Sequence, residues 1–343
     1  MNIKSDQGIE REEVLKCSNC GHKGNSYLSN LSDQTFGDST GWGMLKCSNA
    51  NCGLIWLSPR PTPETIDKVY EEYYTHVDQP TSDGVLFNAE QSYYAGKYGY
   101  NLPRSWAEII VWLNPFLKSK LDFDILYLKA FPQGKLLDYG CGNGRMMAKL
   151  EGLGWDCYGV DFDSKAVDFC RSKGLKVGLI ENWLSDYPDN YFDVITMNQV
   201  VEHVFDYKEI LRGFYKKLKH NGKLIVATPN MDGRLTTIYG RHLRSLEPPR
   251  HLHLFNFKNL KGIIEEEGFF NEVTMSSARV DAWVSITSQR IREKGQFLIG
   301  KDTKTKKELF IGLFQQLLTH IKLIFNKKAG MELILISKKI GRE

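Results

Sequence analysis

Three groups of residues in this chain have the types and spacing to do chemistry. The first is Leu136-Leu137-Asp138-Tyr139-Gly140-Cys141-Gly142-Asn143-Gly144, an apolar run ending in an acid and then in glycines at alternate positions. A helix-forming segment, Met146 to Leu150, follows it. Physically this is a buried strand, a turn stripped of Cβ atoms and a helix N-terminus, on which a ligand can lie directly against the backbone. The ordinary G-x-G-x-x-G dinucleotide fingerprint fails, because its third glycine would fall on Arg145.

The second group is a set of two cysteine pairs, Cys17-Ser18-Asn19-Cys20-Gly21 and Cys47-Ser48-Asn49-Ala50-Asn51-Cys52-Gly53. Each pair can reach one tetrahedral Zn²⁺ through both thiolates, and the glycine after each second cysteine permits the turn that aims amides at sulfur. The stretch from Gly21 to Lys46 fits a β-hairpin excursion, as in a zinc ribbon. Four cysteine ligands leave no open position, so Zn²⁺ held by Cys17, Cys20, Cys47 and Cys52 is expected to be structural. Cys141, Cys157 and Cys170 lie far downstream and read as packing residues. The third group is histidine: His203 beside Glu202, and His251 and His253 in Glu247-Pro248-Pro249-Arg250-His251-Leu252-His253-Leu254-Phe255.

The elements that must position these residues follow from pattern. The chain has 343 residues, 42% apolar and 25% charged, enough for a large core. A formal charge of +4 is too small to imply nucleic-acid binding by itself. Met1 to Lys16 is polar, unlike a secretory leader, and no run of about 18 apolar residues predicts a spanning helix. Seven cysteines without a secretion signal point to reduced thiols and a cytoplasmic protein. The pattern divides into a zinc-ribbon-like lobe (1–60), a helical, Tyr- and Trp-rich connector and lid (61–131), and an α/β domain (132–343). In the connector, helices are expected near 64–74, 107–117 and 119–130, with Tyr73, Tyr74, Tyr93 and Tyr94 either covering a site as a lid or, as aromatic residues more commonly do, packing in the core. Strands are expected near 135–139, 156–161, 175–179, 191–197, 222–228, 270–279 and 331–338, alternating with helices near 144–153, 164–173, 206–219 and 258–267.

The pattern D-x-G-x-G-x-G from Asp138 to Gly144 resembles motif I of class I S-adenosylmethionine-dependent methyltransferases. Val200-Val201-Glu202-His203-Val204 and Leu218 to Asn230, ending Ala227-Thr228-Pro229-Asn230, resemble segments of the small-molecule, ubiquinone-biosynthesis type; His220-Asn221 stand where that type has Pro-Gly. The resemblance covers roughly 132–280, and the front lobe resembles methyltransferases of surface-glycan and natural-product pathways. It implies an α/β, Rossmann-like, seven-stranded and mostly parallel sheet of order 3-2-1-4-5-7-6, with an N-terminal zinc ribbon. S-adenosyl-L-methionine is then expected on Asp138, Gly140, Cys141 and Gly142. Asp161 is expected on the ribose hydroxyls, Phe162 on the adenine face, Glu181 and Asn182 at its polar edge, and Asn198 at the methionine moiety.

Methyl transfer to oxygen benefits from a base poised near neutral pH, so His203 and His251 are the catalytic candidates. Glu202 and His203 can equally serve only to organise the start of a helix. The leading expectation is O-methylation of a small molecule: a sugar, glycan or lipid-linked precursor. The alternatives are sugar C- or N-methylation, and RNA or protein methylation with the ribbon as reader. The last is poorly supported by the few cations of the ribbon, Lys16, Lys23 and Lys46, which Asp33 and Asp38 oppose.

An insertion at 289–328 carries Phe310, Leu313, Phe314, Leu317, Ile321, Ile324 and Phe325 at helical spacing. Lys301, Lys304, Lys306, Lys307, Lys322, Lys327 and Lys328 surround that stripe. Such a stripe can pack on the body of the protein or on a second subunit. It can also rest on an anionic membrane, making 301–328 a peripheral contact at the inner face.

Overall fold

The computed structural model describes residues 8–36, 40–70, 85–130, 133–299 and 302–341. The cysteine lobe is built from short strands: β1 (Arg11–Glu12), β2 (Gly24–Ser32), β3 (Thr40–Cys47), β4 (Ile55–Leu57) and β5 (Arg60–Pro61). β2, β3 and β4 run antiparallel in one sheet, and β1 pairs with β5. Alternation along β3 turns Trp42 and Met44 inward, both fully buried. The Trp56 indole N–H donates to the Val14 carbonyl at 2.7 Å, holding the lobe's first residues against its sheet.

The connector holds a 3₁₀ turn at Ile66–Tyr70, then α1 (Val85–Tyr98), α2 (Glu108–Leu113) and α3 (Pro115–Asp124). The helix expected over 64–74 is therefore a 3₁₀ turn as far as Tyr70, and 71–74 lie outside the described residues. The break expected near residue 118 falls at Asn114, whose side-chain oxygen accepts from the Phe116 and Leu117 amides, with Pro115 in the first turn. α3 stops at Asp124 rather than near 130 because Leu126 and Tyr127 adopt left-handed backbone, φ 44° and 58°. Tyr93 and Tyr94 sit in the core, 0% and 1% exposed. The Tyr93 and Tyr98 hydroxyls both donate to the Asp122 carboxylate, at 2.6 and 2.7 Å. These tyrosines anchor the connector instead of covering a site, and Tyr73 and Tyr74 lie outside the described residues.

The α/β unit follows in order: β6 (Lys135–Tyr139), α4 (Arg145–Gly152), β7 (Asp156–Asp161), α5 (Ser164–Ser172), β8 (Val177–Leu179), α6 (Trp183–Asp186), β9 (Phe192–Asn198), α7 (Tyr207–Lys217) and β10 (Leu218–Pro229). After these come α8 (Arg234–Tyr239), β11 (His253–Leu254), α9 (Phe257–Glu266), β12 (Phe269–Ser277), α10 (Asp281–Lys294), α11 (Lys306–Phe325) and β13 (Glu332–Lys339). The sheet runs β12-β13-β10-β9-β6-β7-β8, which is 3-2-1-4-5-7-6 in its own count. Only β13 runs against its neighbours, antiparallel to both β10 and β12. Asn221, where the resemblance has glycine, takes φ 64°, a conformation asparagine tolerates, so the turn survives the change. β11 belongs to the lobe's sheet: it pairs with β4, His253 opposite Trp56 and Leu254 opposite Ile55.

The insertion is a helical pair that starts earlier than its sequence pattern suggests, since α10 begins at Asp281. α11 meets α10 through Gly312, where an added Cβ would stand 2.8 Å from the Ala282 carbonyl oxygen and 2.7 Å from Ile286. The other buried residues of α11 are Gln316 and Thr319. The expected apolar stripe faces outward, with Phe310, Ile324 and Phe325 at 72%, 75% and 87% exposure. By length and composition α11 is also apolar enough to cross a membrane, with a mean hydropathy of 1.2.

Candidate functional site

The glycine turn hangs between β6 and α4. Asp138, near the end of β6, is buried and accepts a hydrogen bond from the Thr196 hydroxyl at 2.8 Å. Burial pushes its carboxyl up to about 7, against the opposing Thr196 bond. The turn is locked from β7: the Gly140 and Cys141 amides donate to the Val160 carbonyl, and the Gly142 amide donates to Asp161 Oδ2 at 2.8 Å. Burial raises the Asp161 carboxyl as well.

The two central glycines serve different ends. Gly140 and Gly142 both have positive φ, 80° and 53°. A Cβ on Gly140 would strike Val200 at 2.4 Å, so this glycine permits packing of the turn on the residues after β9. A Cβ on Gly142 would point into open space, so its bare face is presented outward, where a ligand can approach. A cavity opens beside the turn, walled by Asp138, Gly140, Cys141, Arg145, Asn198 and Arg279 among others. Asn198 Oδ1 is buried there without a hydrogen-bond partner, an orphaned acceptor of the kind a ligand donor satisfies. An acid, a bare glycine face, an unsatisfied amide oxygen and cations at Arg145 and Arg279 fit the amino-acid end of S-adenosylmethionine.

Phe162, just past Asp161, is 53% exposed, and its ring lies 5.4 Å from that of Tyr70. The Tyr70 hydroxyl is in turn 3.0 Å from His203 Nδ1. His203 Nδ1 is also 3.0 Å from the Arg250 carbonyl. A carbonyl can only accept, so we assign the proton of the neutral ring to Nδ1, which leaves a lone pair on Nε2. Nε2 has no hydrogen-bond partner among the described residues. Burial holds the His203 pKa below its ordinary value, so the ring is neutral at pH 7.

His251 stacks edge-on to His203, with ring centroids 4.7 Å apart. It is 5% exposed, and its Nδ1 donates to the Ser245 carbonyl at 2.8 Å. Burial drives its pKa down to about 3. His251 therefore acts as a wall that fixes the His203 ring, while His203 is the better placed to take a proton. His253 is buried on the lobe side, 3.4 Å from the Ser18 hydroxyl. Glu202 is fully buried: it accepts from the Thr228 hydroxyl at 2.8 Å, its Oε1 is unpartnered, and burial raises it to about 8. The ligand atoms of Glu202, His203 and His251 all lie within 4.8 Å of one another.

The four front cysteines converge. Cys17 and Cys52 sulfurs are 3.7 Å apart and Cys20 and Cys47 sulfurs 3.4 Å, too far for a disulfide. A tetrahedron with metal–sulfur bonds of about 2.3 Å requires sulfurs about 3.8 Å apart, so the donor set fits Zn²⁺. Gly21 and Gly53 take positive φ, 73° and 61°, and the Asn19 amide reaches Cys52 sulfur at 3.5 Å.

This lobe holds the histidine segment. Arg250, 1% exposed, makes a bidentate ion pair with Asp33 at 2.7 and 2.8 Å and bonds Glu247 through Nε at 3.1 Å. The Leu57 amide donates to the Leu252 carbonyl, and the Leu252 and His253 amides both donate to the Glu202 carbonyl. The strand ends and the histidine segment are thus sewn into one unit through the lobe.

Of the residues singled out by sequence, Asp138, Gly140, Cys141 and Asn198 line one cavity, with Gly142 and Asp161 locking its rim. Glu181 and Asn182 are exposed on the turn after β8 and form no part of that cavity wall. Sequence reasoning missed Tyr70 and Arg279. Arg279 stacks 3.7 Å over Phe123 and pairs with the fully buried Glu332. The tyrosine-rich connector hinted at Tyr70; nothing local marks Arg279.

Residues 112–272 match a family model described as a methyltransferase domain. Over 104 residues the chain is 31% identical to the ubiquinone biosynthesis O-methyltransferase of Proteus mirabilis, covering 28% of this chain and 42% of that protein. Over 111 residues it is 36% identical to phosphoethanolamine N-methyltransferase 3 of Arabidopsis thaliana, covering 30% of this chain and 22% of that one. A crystal structure of a SAM-dependent methyltransferase from Archaeoglobus fulgidus aligns with a TM-score of 0.42 at 19% identity, covering 72% of this chain and 99% of that one. The chain spans less than half the length of these two curated relatives.

Proposed function

We propose that the class I S-adenosylmethionine-dependent methyltransferase domain of this chain methylates an oxygen of a small molecule: a sugar, glycan or lipid-linked precursor. The observation that carries this reading is the state of His203. Its Nδ1 is engaged by the Arg250 carbonyl and its Nε2 lone pair is unclaimed, a short step past the end of β9, where Asn198 borders the cofactor cavity.

Bound S-adenosylmethionine supplies an electrophilic methyl carbon on a sulfonium. The chain's own residues hold and orient. Asp138 takes the ammonium end, and Arg279, with Arg145, faces the carboxylate. Gly142 gives backbone access, Asp161 takes the ribose hydroxyls and Phe162 covers the adenine. His203 Nε2 would accept the acceptor hydroxyl's proton while its oxygen bonds the methyl carbon and the methyl–sulfur bond breaks, the neutral thioether keeping that electron pair; His251 and Tyr70 fix the ring's angle. The O-methyltransferase name of the Proteus mirabilis relative agrees with an oxygen acceptor. Zn²⁺ on Cys17, Cys20, Cys47 and Cys52 stabilises the lobe that braces the histidine segment.

Labelled cofactor incubated with fractionated cell extract, followed by mass analysis of the labelled product, identifies the acceptor. With that acceptor, His203→Ala is expected to lower kcat by about 10²–10⁴-fold, the usual range for a lost general base. Cofactor affinity by calorimetry should stay nearly unchanged. Full turnover in His203→Ala refutes the base assignment, and a product methylated on carbon or nitrogen refutes the acceptor class.

A further inference from the structure

α11 is inverted relative to an ordinary surface helix. The residues it buries are Gly312, Gln316 and Thr319, while Phe310, Phe314, Leu317, Ile321, Ile324 and Phe325 face outward. Both ends are basic. Lys304, Lys306 and Lys307 stand at its start, Lys322, Lys327 and Lys328 at its end, all exposed. The single acid of the helix, Glu308, is engaged by Arg290.

The apolar surface does not stop at α11. Phe116 of α3 packs edge-on against His320 of α11, with centroids 5.4 Å apart. Just before α3, α2 and the turn leading into it expose Trp106 at 75%, Trp112 at 48% and Leu113 at 80%. Lysines thus stand at both ends of the apolar face of α11, and the neighbouring α2–α3 segment exposes further apolar side chains.

We propose that this face docks on an anionic lipid bilayer, with α11 lying in the plane of the headgroups. A helix of 20 residues is about 30 Å long, so its basic ends can meet separate anionic headgroups while its phenylalanines enter the acyl boundary. Lysine stems reach outward from such a position, and tryptophan favours the same depth. A second copy of the chain fits less well. Two-fold antiparallel pairing of α11 sets lysine ends against lysine ends, with Glu308 already engaged. On its opposite, buried side α11 touches the wall of the cofactor cavity: Gln316 donates to the carbonyl of Arg279 at 3.2 Å, and Arg279 lines that cavity. The binding itself does not depend on methyl transfer.

The test is co-sedimentation of the full chain with vesicles of phosphatidylcholine alone or mixed with phosphatidylglycerol, at low and high salt. The expected result is partition onto the mixed vesicles at low salt, weaker by about tenfold or more at high salt or without the anionic lipid. Lys306→Glu with Lys322→Glu, and separately Phe310→Ser with Phe314→Ser, should each lower the partition by about tenfold or more. Thermal unfolding and cofactor calorimetry should be unchanged in both variants, showing that the fold is intact. Absence of partition at low salt, or partition indifferent to both variants, overturns the proposal. So does a stable dimer in sedimentation velocity that the Phe310→Ser, Phe314→Ser pair dissolves while the parent chain ignores vesicles.

Discussion

Where the cysteine lobe meets the sheet domain, β4 pairs with β11 and the Asp33–Arg250 ion pair is buried. Where α11 meets it, the buried residues are Gly312, Gln316 and Thr319, and most of the large apolar side chains are left outside. Each region reaches the site through an arginine: the lobe holds Arg250, whose carbonyl orients His203, and α11 touches the carbonyl of Arg279. The lobe's interface is closed, because strand pairing and a buried guanidinium held by two carboxylates tolerate no substitute partner. The face of α11 is open. The difference teaches that the lobe braces the histidine segment from within the chain, whereas the apolar face of α11 stays exposed among the described residues.

The largest expected effect separates the two regions by metal removal. Chelation, or Cys47→Ser, should unfold the lobe and release the histidine segment, lowering turnover by about 100-fold or more. Cofactor affinity should change by less than about threefold, because the glycine turn rests on β6 and β7 outside the lobe. Calorimetry read beside turnover checks this. Equal loss of both quantities would mean that the lobe supports the whole domain.

A paired substitution sharpens the contrast next. Asp33→Ala strips the buried Arg250 of its bidentate partner, leaving only the Glu247 contact, and should cost about 3 kcal/mol in urea unfolding. Phe310→Ala, at an exposed position of α11, should stay within about 0.5 kcal/mol. Similar costs at both positions would contradict the reading of one face as closed and the other as open.

The smallest effect lies between the regions and should ignore both. The Asp138 carboxyl, raised to about 7 by burial, must ionise to hold an ammonium group, so cofactor affinity should rise about tenfold from pH 6 to pH 8. Calorimetry across that range checks it, and Asp138→Asn should bind weakly with no such slope. For the free protein the sign is the reverse. A carboxyl raised on folding gives the folded state more bound protons than the unfolded state between pH 4 and 7, so Asp138 makes stability fall as pH rises through that window.

Much of this was legible along the chain because it is local. Asp138, Gly140 and Gly142 announce a strand and a bare turn within a few residues, and the cysteine pairs announce their convergence by spacing alone. The order of the sheet followed from the alternation of strands and helices together with the family resemblance. What was not legible depends on distant partners. Tyr93 and Tyr94 could be read as lid or as packing residues until Asp122 is seen to gather the hydroxyls of Tyr93 and Tyr98. Helical periodicity marked the apolar stripe of α11 but not which way it faces; the missing Cβ of Gly312 decided that by letting α10 approach on the opposite side.

The sequence by itself pointed to the cofactor class, through the resemblance, and to the cysteine cluster, since both rest on residues a turn or a hairpin apart, whose backbone geometry is set locally. Only the tertiary structure decided how the surroundings of the two histidines differ. His203 and His251 are the same residue type, and their environments diverge because folding leaves one nitrogen of His203 without a partner among the described residues and surrounds His251 with carbonyl and carboxylate. Burial and hydrogen-bond partners are properties of the packed chain, and no spacing along it encodes them.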